Sequence, residues 1–126
     1  MSYYLFVDDV RHISEIHWHE YPRDCEWITV RSFDQFVDTI KRKGIPTLVS
    51  FDYCLDNNLQ CRYNRHDIED PLTGYDCATW LVDYCELNKR RVPEIVAHTQ
   101  DDKLKSKIMS AFTLSYRILK IVKRLI

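Results

Sequence analysis

The sequence predicts an α/β domain built on a short parallel sheet, with crossover segments on both faces. Short apolar runs at Tyr3–Val7, Glu26–Val30, Thr47–Phe51 and Glu94–Ala97 have the length and composition of buried strands. Segments of helical apolar spacing follow the last three of these runs. Polar groups close the runs at Asp8 and Asp9, at Asp52, and at His98 with Thr99. In a parallel sheet with crossovers, ligands bind beyond the carboxyl ends of the strands, so these side chains converge where chemistry is expected.

The elements follow in order. Tyr3–Val7 is an apolar and aromatic strand that delivers the acidic pair to the sheet edge. Glu26–Val30 is the second strand. Ser32 then caps a helix with Phe33, Phe36, Val37 and Ile40 on one face, ending near Gly44 before Pro46. Thr47–Phe51 is the third strand. Residues 53–73 show no sustained period and are rich in Asn, Arg and Asp, which reads as a long loop over the active edge. Gly74 and Tyr75 start a helix whose inward face is Ala78, Leu81, Val82 and Cys85, and Pro93 breaks its pattern. Glu94–Ala97 is the fourth strand. Residues 103–126 form a C-terminal helical segment carrying an apolar stripe from Leu104 to Leu125, and periodicity alone leaves open whether it is one long helix, two helices or a helix plus a final strand.

A chain of 126 residues and 15.2 kDa, 45% hydrophobic, holds a single domain and no second one. Its net charge of -1 excludes a uniformly basic nucleic-acid coat and an acidic disordered chain. The charge is uneven: residues 103–126 carry seven Lys/Arg and no acid, so the rest of the chain is acidic. That basic helix can pack on the domain, pair with a second copy in a homodimer, or approach a nucleic acid. No run reaches the roughly 18–20 apolar residues that cross a bilayer, and the start lacks the basic and long apolar stretches of a signal peptide, so the expected location is the cytoplasm with no membrane contact. The five cysteines are odd in number and form no CxxC step, and they read as reduced thiols.

Carboxylates brought together from neighbouring strands repel one another unless neutralised. A divalent cation held by Asp8, Asp9 and Asp52, with magnesium favoured by the oxygen donors, is a natural occupant, and Arg11 is an alternative neutralising group. His98 can exchange a proton near neutral pH, and Arg11 and Arg31 can grip phosphate oxygens. Acids, arginines and a histidine at one edge suit a phosphate ester better than an uncharged substrate.

LFVDDVR (Leu5–Arg11), the Val30-Arg31-Ser32 step, VSFDYCLD (Val49–Asp56), TGYDCATWLV (Thr73–Val82) and VAHT (Val96–Thr99) occur in this order along the chain. In these motifs the sequence resembles the cyclic-phosphate processing receiver-like family over most of residues 4–110. The resemblance implies a receiver-like, flavodoxin-type three-layer sandwich with central strand order 2-1-3-4. It also implies action on cyclic nucleotides or on nucleic-acid ends bearing a cyclic phosphate. The positions carried over are Asp8, Asp9, Arg11, Arg31, Ser50, Asp52, Gly74, Asp76, Trp80, His98 and Thr99. After Ser-Phe-Asp the family continues His-Asp-Leu-Gly, whereas this chain has Tyr53, Cys54, Leu55 and Asp56. A second histidine is therefore absent there, and His66 in the long loop is the substitute within the chain.

Two functions are expected from these residues. In the first, a phosphoesterase, His98, Asp52 and Asp9 are catalytic, Arg11, Arg31, Ser50 and Thr99 bind substrate, and Asp8, Asp9 and Asp52 hold magnesium. In the second, a noncatalytic receiver-like module binds a nucleotide or a protein partner. An ordinary phosphorelay receiver would add a lysine after a fifth strand, and no Lys-Pro step in that place is present. The segment His17-Trp18-His19 is either an exposed patch or a cover over the first strand.

Overall fold

A computed structural model of the chain describes residues 2–55 and 72–125, with side chains described as far as residue 113. Most of the expected loop, including His66 and Cys61, lies outside the described residues. Four strands, β1 (Tyr4–Val7), β2 (Trp27–Val30), β3 (Leu48–Phe51) and β4 (Glu94–Ala97), form one all-parallel sheet in the order β2-β1-β3-β4. Three of them start one residue later than their apolar runs: Tyr3, Glu26 and Thr47 sit at the rim of the ladder, where the Tyr3 and Glu26 carbonyls accept and Thr47 both donates to Tyr3 and accepts from Glu94. Among the described residues the helices are α1 (Phe33–Lys43), α2 (Gly74–Leu87) and α3 (Asp102–Leu125), and α3 is continuous. Among the described residues no helix is long and apolar enough to cross a membrane.

Strand order fixes the layers. β2 and β3 pair on opposite sides of β1, so right-handed crossovers place residues 8–26 on one face and the helices on the other. Side chains alternate accordingly. Leu5, Val7, Val49 and Phe51 face the helices and meet Phe36, Ile40, Leu81 and Ile108 in a core that is almost fully buried. Full burial of such a side chain contributes roughly 2 kcal/mol each. The opposite layer contains no α-helix: only a 3-10 turn (Ile13–Glu15), capped by His12 and Glu15, interrupts irregular chain. That segment seats Tyr21 against Phe6 and Trp27, and Tyr4 hydrogen-bonds Asp24 at 2.7 Å.

Local signals explain the helix ends. Ser32 accepts from the Gln35 amide at the start of α1, and Gly44, at φ 91°, takes the left-handed turn that ends it. Thr73 and Asp76 form a reciprocal capping box at the start of α2. The end of α2 is a Schellman turn, in which the Arg90 amide donates to Cys85 and the Lys89 amide to Glu86. Lys89 occupies its left-handed position at φ 53°, which costs a side chain about 1 kcal/mol. Cys54 is disulfide-bonded, against the expectation of reduced thiols throughout, while Cys25, Cys77 and Cys85 are free.

Candidate functional site

The carboxyl ends of β1, β3 and β4 bring Asp8, Asp52 and His98 together. All three are buried, and one ligand atom from each lies within 4.8 Å of the others. β1 ends in Asp8, whose backbone amide still pairs with Val30, so the side chain leaves the sheet in register. Its Oδ1 accepts from the amides of Val10 at 3.0 Å and Arg11 at 2.8 Å, which folds the following chain back over the strand end. Its Oδ2 lies 2.9 Å from His98 Nε2.

His98 is held on every side. Nδ1 lies 2.8 Å from Ser50 Oγ, Ser50 Oγ lies 2.6 Å from the Tyr21 hydroxyl, and the ring stacks on Phe6. Trp18 Nε1 donates to the His98 carbonyl at 2.8 Å. With Asp8 ionised, Nε2 donates to its carboxylate, and Ser50 Oγ links Nδ1 to the Tyr21 hydroxyl. Burial pushes the Tyr21 phenol up to about 12, so it stays a donor at neutral pH. The result is a continuous chain of hydrogen bonds from Tyr21 through Ser50 and His98 to Asp8. Both ring nitrogens of His98 are engaged inside the protein.

The two central acids have opposite electrostatics. Burial works against an ionised Asp8, but the hydrogen bonds from His98 and the Arg11 and Val10 amides outweigh it and hold the carboxyl below its ordinary value. Asp52 is pushed up to about 6, first by burial and then by the charge of Asp8, while the Tyr53 amide donates to it at 2.9 Å. One acid is thus fixed as an anion, and its neighbour titrates close to neutrality.

The other expected residues divide into two groups. Arg31 directs Nη1 to the carbonyls of Asp8 at 3.1 Å and Arg11 at 2.6 Å, so it braces the loop after β1. The Arg11 guanidinium lies 5.4 Å over the Trp18 ring, and its Nη1 is buried with no hydrogen-bond partner among the described residues. Thr99 and Asp9 are buried at the same edge, and Asp9 is not part of the Asp8, Asp52 and His98 group. Ser50 lies inside the relay. Gly74 packs so closely on the Asp52 carbonyl that a Cβ there would collide with it, and its amide donates to Tyr53 at 2.6 Å. This is the physical reason for the Gly-Tyr-Asp step.

Three participants carried no usable sequence signal. Tyr21 sits in irregular chain, and Trp18 belongs to the His-Trp-His segment, which is exposed and reaches the end of β4 through the Trp18 indole. Lys107 of α3 reaches Tyr53, with Nζ 3.2 Å from its hydroxyl, and lies 5.1 Å from the Tyr75 ring centre.

The cyclic-phosphate processing receiver domain matches residues 3–113, the greater part of the chain. The chain belongs to that family. No curated protein and no solved structure is significantly similar to it. The family membership agrees with the parallel sheet and its order β2-β1-β3-β4. It links the chain to cyclic-phosphate processing without naming a substrate.

Proposed function

We propose that the chain is a phosphoesterase acting on cyclic nucleotides or on nucleic-acid ends bearing a cyclic phosphate. The observation that carries this reading is the pairing of a fixed anion, Asp8, with a neighbour, Asp52, that can take or give a proton near pH 6. Arg11 offers its buried Nη1 to a phosphate oxygen, and Thr99 adds a hydroxyl at the same edge. Asp52, with Asp9 beside the acidic turn, positions and deprotonates the attacking water. Attack at phosphorus forms a P–O bond and breaks one ester bond of the ring, and the departing oxygen takes the proton that Asp52 removed from the water. His98 acts through Asp8 as a positioning residue, and Ser50 and Arg31 hold His98 and the Arg11 loop.

The Asp8 and Asp52 oxygens suit a hard divalent cation, because two buried carboxylates repel unless neutralised, and the imidazole of the same cluster is less suited to magnesium. Bound there, the cation would polarise a phosphoryl oxygen. A second reading, binding without turnover, is favoured by one observation: both nitrogens of His98 are occupied by protein groups.

Phosphorus NMR of 2′,3′-cyclic-phosphate RNA ends and 3′,5′-cyclic nucleotides, with and without magnesium, tests both readings. The enzyme reading expects turnover that drops at least 100-fold in Asp52→Asn and binding that weakens in Arg11→Gln. Tight calorimetric binding with no new phosphorus signal would select the binding module, and neither binding nor turnover would end both.

A further inference from the structure

At the opposite, amino-terminal edge of the sheet, two segments of similar sequence enter adjacent strands. Lys-Arg-Lys-Gly-Ile-Pro (41–46) leads into β3, and Lys-Arg-Arg-Val-Pro (89–93) leads into β4. The two turns are tied by the Glu94 amide donating to the Thr47 carbonyl at 3.1 Å. Between them lies a cavity of about 630 Å³ lined by Ile45, Pro46 and Thr47 on one side and Lys89, Arg90 and Arg91 on the other. Three Lys/Arg line the cavity and three more, Lys41, Arg42 and Lys43, end α1 just before Ile45; neither 41–47 nor 87–93 contains an acid, although Asp38 pairs with Arg42, and Glu86 and Glu94 flank the second triplet.

We propose that this edge is a second binding site, for the phosphate backbone of a nucleic-acid strand. Two independent features point there besides charge. First, the cavity has room for more than a single anion, and no aromatic side chain lines it, so phosphates rather than bases are recognised. Second, Lys89 holds the left-handed position of the Schellman turn, where glycine would fit without steric cost. Backbone tension kept at a charged residue beside a cavity is typical of a ligand site. The left-handed turn delivers Lys89, Arg90 and Arg91 to the cavity wall. This site is independent of the reading of Asp8 and Asp52.

Fluorescence anisotropy with a labelled oligouridylate ending in an ordinary 3′ hydroxyl tests the site, because that end carries no cyclic phosphate. Contacts to about three phosphates should give a log-log salt slope near roughly -2. The triple variant Lys89→Gln, Arg90→Gln, Arg91→Gln is expected to bind at least tenfold more weakly. Lys89→Gly is expected to bind severalfold more weakly while melting at the same or a higher temperature, which separates a ligand role from a structural one. Absence of binding by the unmodified chain at 50 mM salt overturns the proposal. So does unchanged binding by the triple variant, loss instead in Lys103→Gln with Lys105→Gln, or equal affinity for polyglutamate.

Discussion

Phe6 and His98 lie face to face, with ring centroids 4.5 Å apart and planes only 10° from parallel. The stack forms on the helix-free face of the sheet, where His98, just past β4, reaches across β3 to Phe6 on β1. Together with the bonds to Ser50 and Asp8, it makes His98 part of the interior.

Replacing His98 by alanine therefore removes a stack and strands two buried polar partners. The expected loss is about 3 kcal/mol of stability, read from urea denaturation, besides any loss of activity. Ser50→Ala, which removes one link, is expected to cost about 1 kcal/mol. A His98→Ala variant as stable as the unmodified chain would contradict the buried relay.

Asp52 gives the chain a specific pH profile. Its carboxyl rises from 3.8 to about 6 on folding, so the folded state keeps a proton that the unfolded chain has already lost. Stability should fall as pH rises from about 4 to about 6, by at most about 3 kcal/mol. Asp8, held below its ordinary value, acts in the reverse sense: its contribution is present above 3.8 and disappears as pH falls further. Asp52→Asn should flatten the slope between pH 4 and 6, and denaturation midpoints across that range would check it. Magnesium, if held by these carboxylates, should raise the melting temperature more at pH 7 than at pH 5, because protonation of Asp52 competes with it.

Gly74→Ala tests the junction between β3 and α2. A methyl group there meets the Asp52 carbonyl, so the start of the helix must shift away from the strand end. The expected cost is about 3 kcal/mol, with Asp52 displaced and its titration altered. A neutral effect on thermal melting would show that the junction yields freely.

Strand positions, the Ser32 cap and the convergence of Asp8, Asp52 and His98 were legible because each follows from local pattern: apolar runs, a serine before a helix, acids just past strand ends. The helix-free crossover was not legible, since residues 8–26 contain no period that says which face they cover. Tyr21 could not be found for the same reason: it meets Ser50 across 29 positions through a contact that only strand order creates. Arg31 read as a phosphate ligand because a guanidinium looks the same in sequence whether it meets an anion or, as here, backbone carbonyls.

The relay also has a place in time. Asp8 and His98 are 90 residues apart, and β4 is an edge strand, the last to be reached along the chain. An intermediate holding β1, β2 and β3 would contain both acids but no imidazole between them and Ser50. In such an intermediate the loop still to be closed runs from β3 to β4, and the site is complete only once β4 has docked. A ligand that requires the whole edge would then act as a latch on completed molecules, lengthening the lifetime of the folded chain without hastening its arrival.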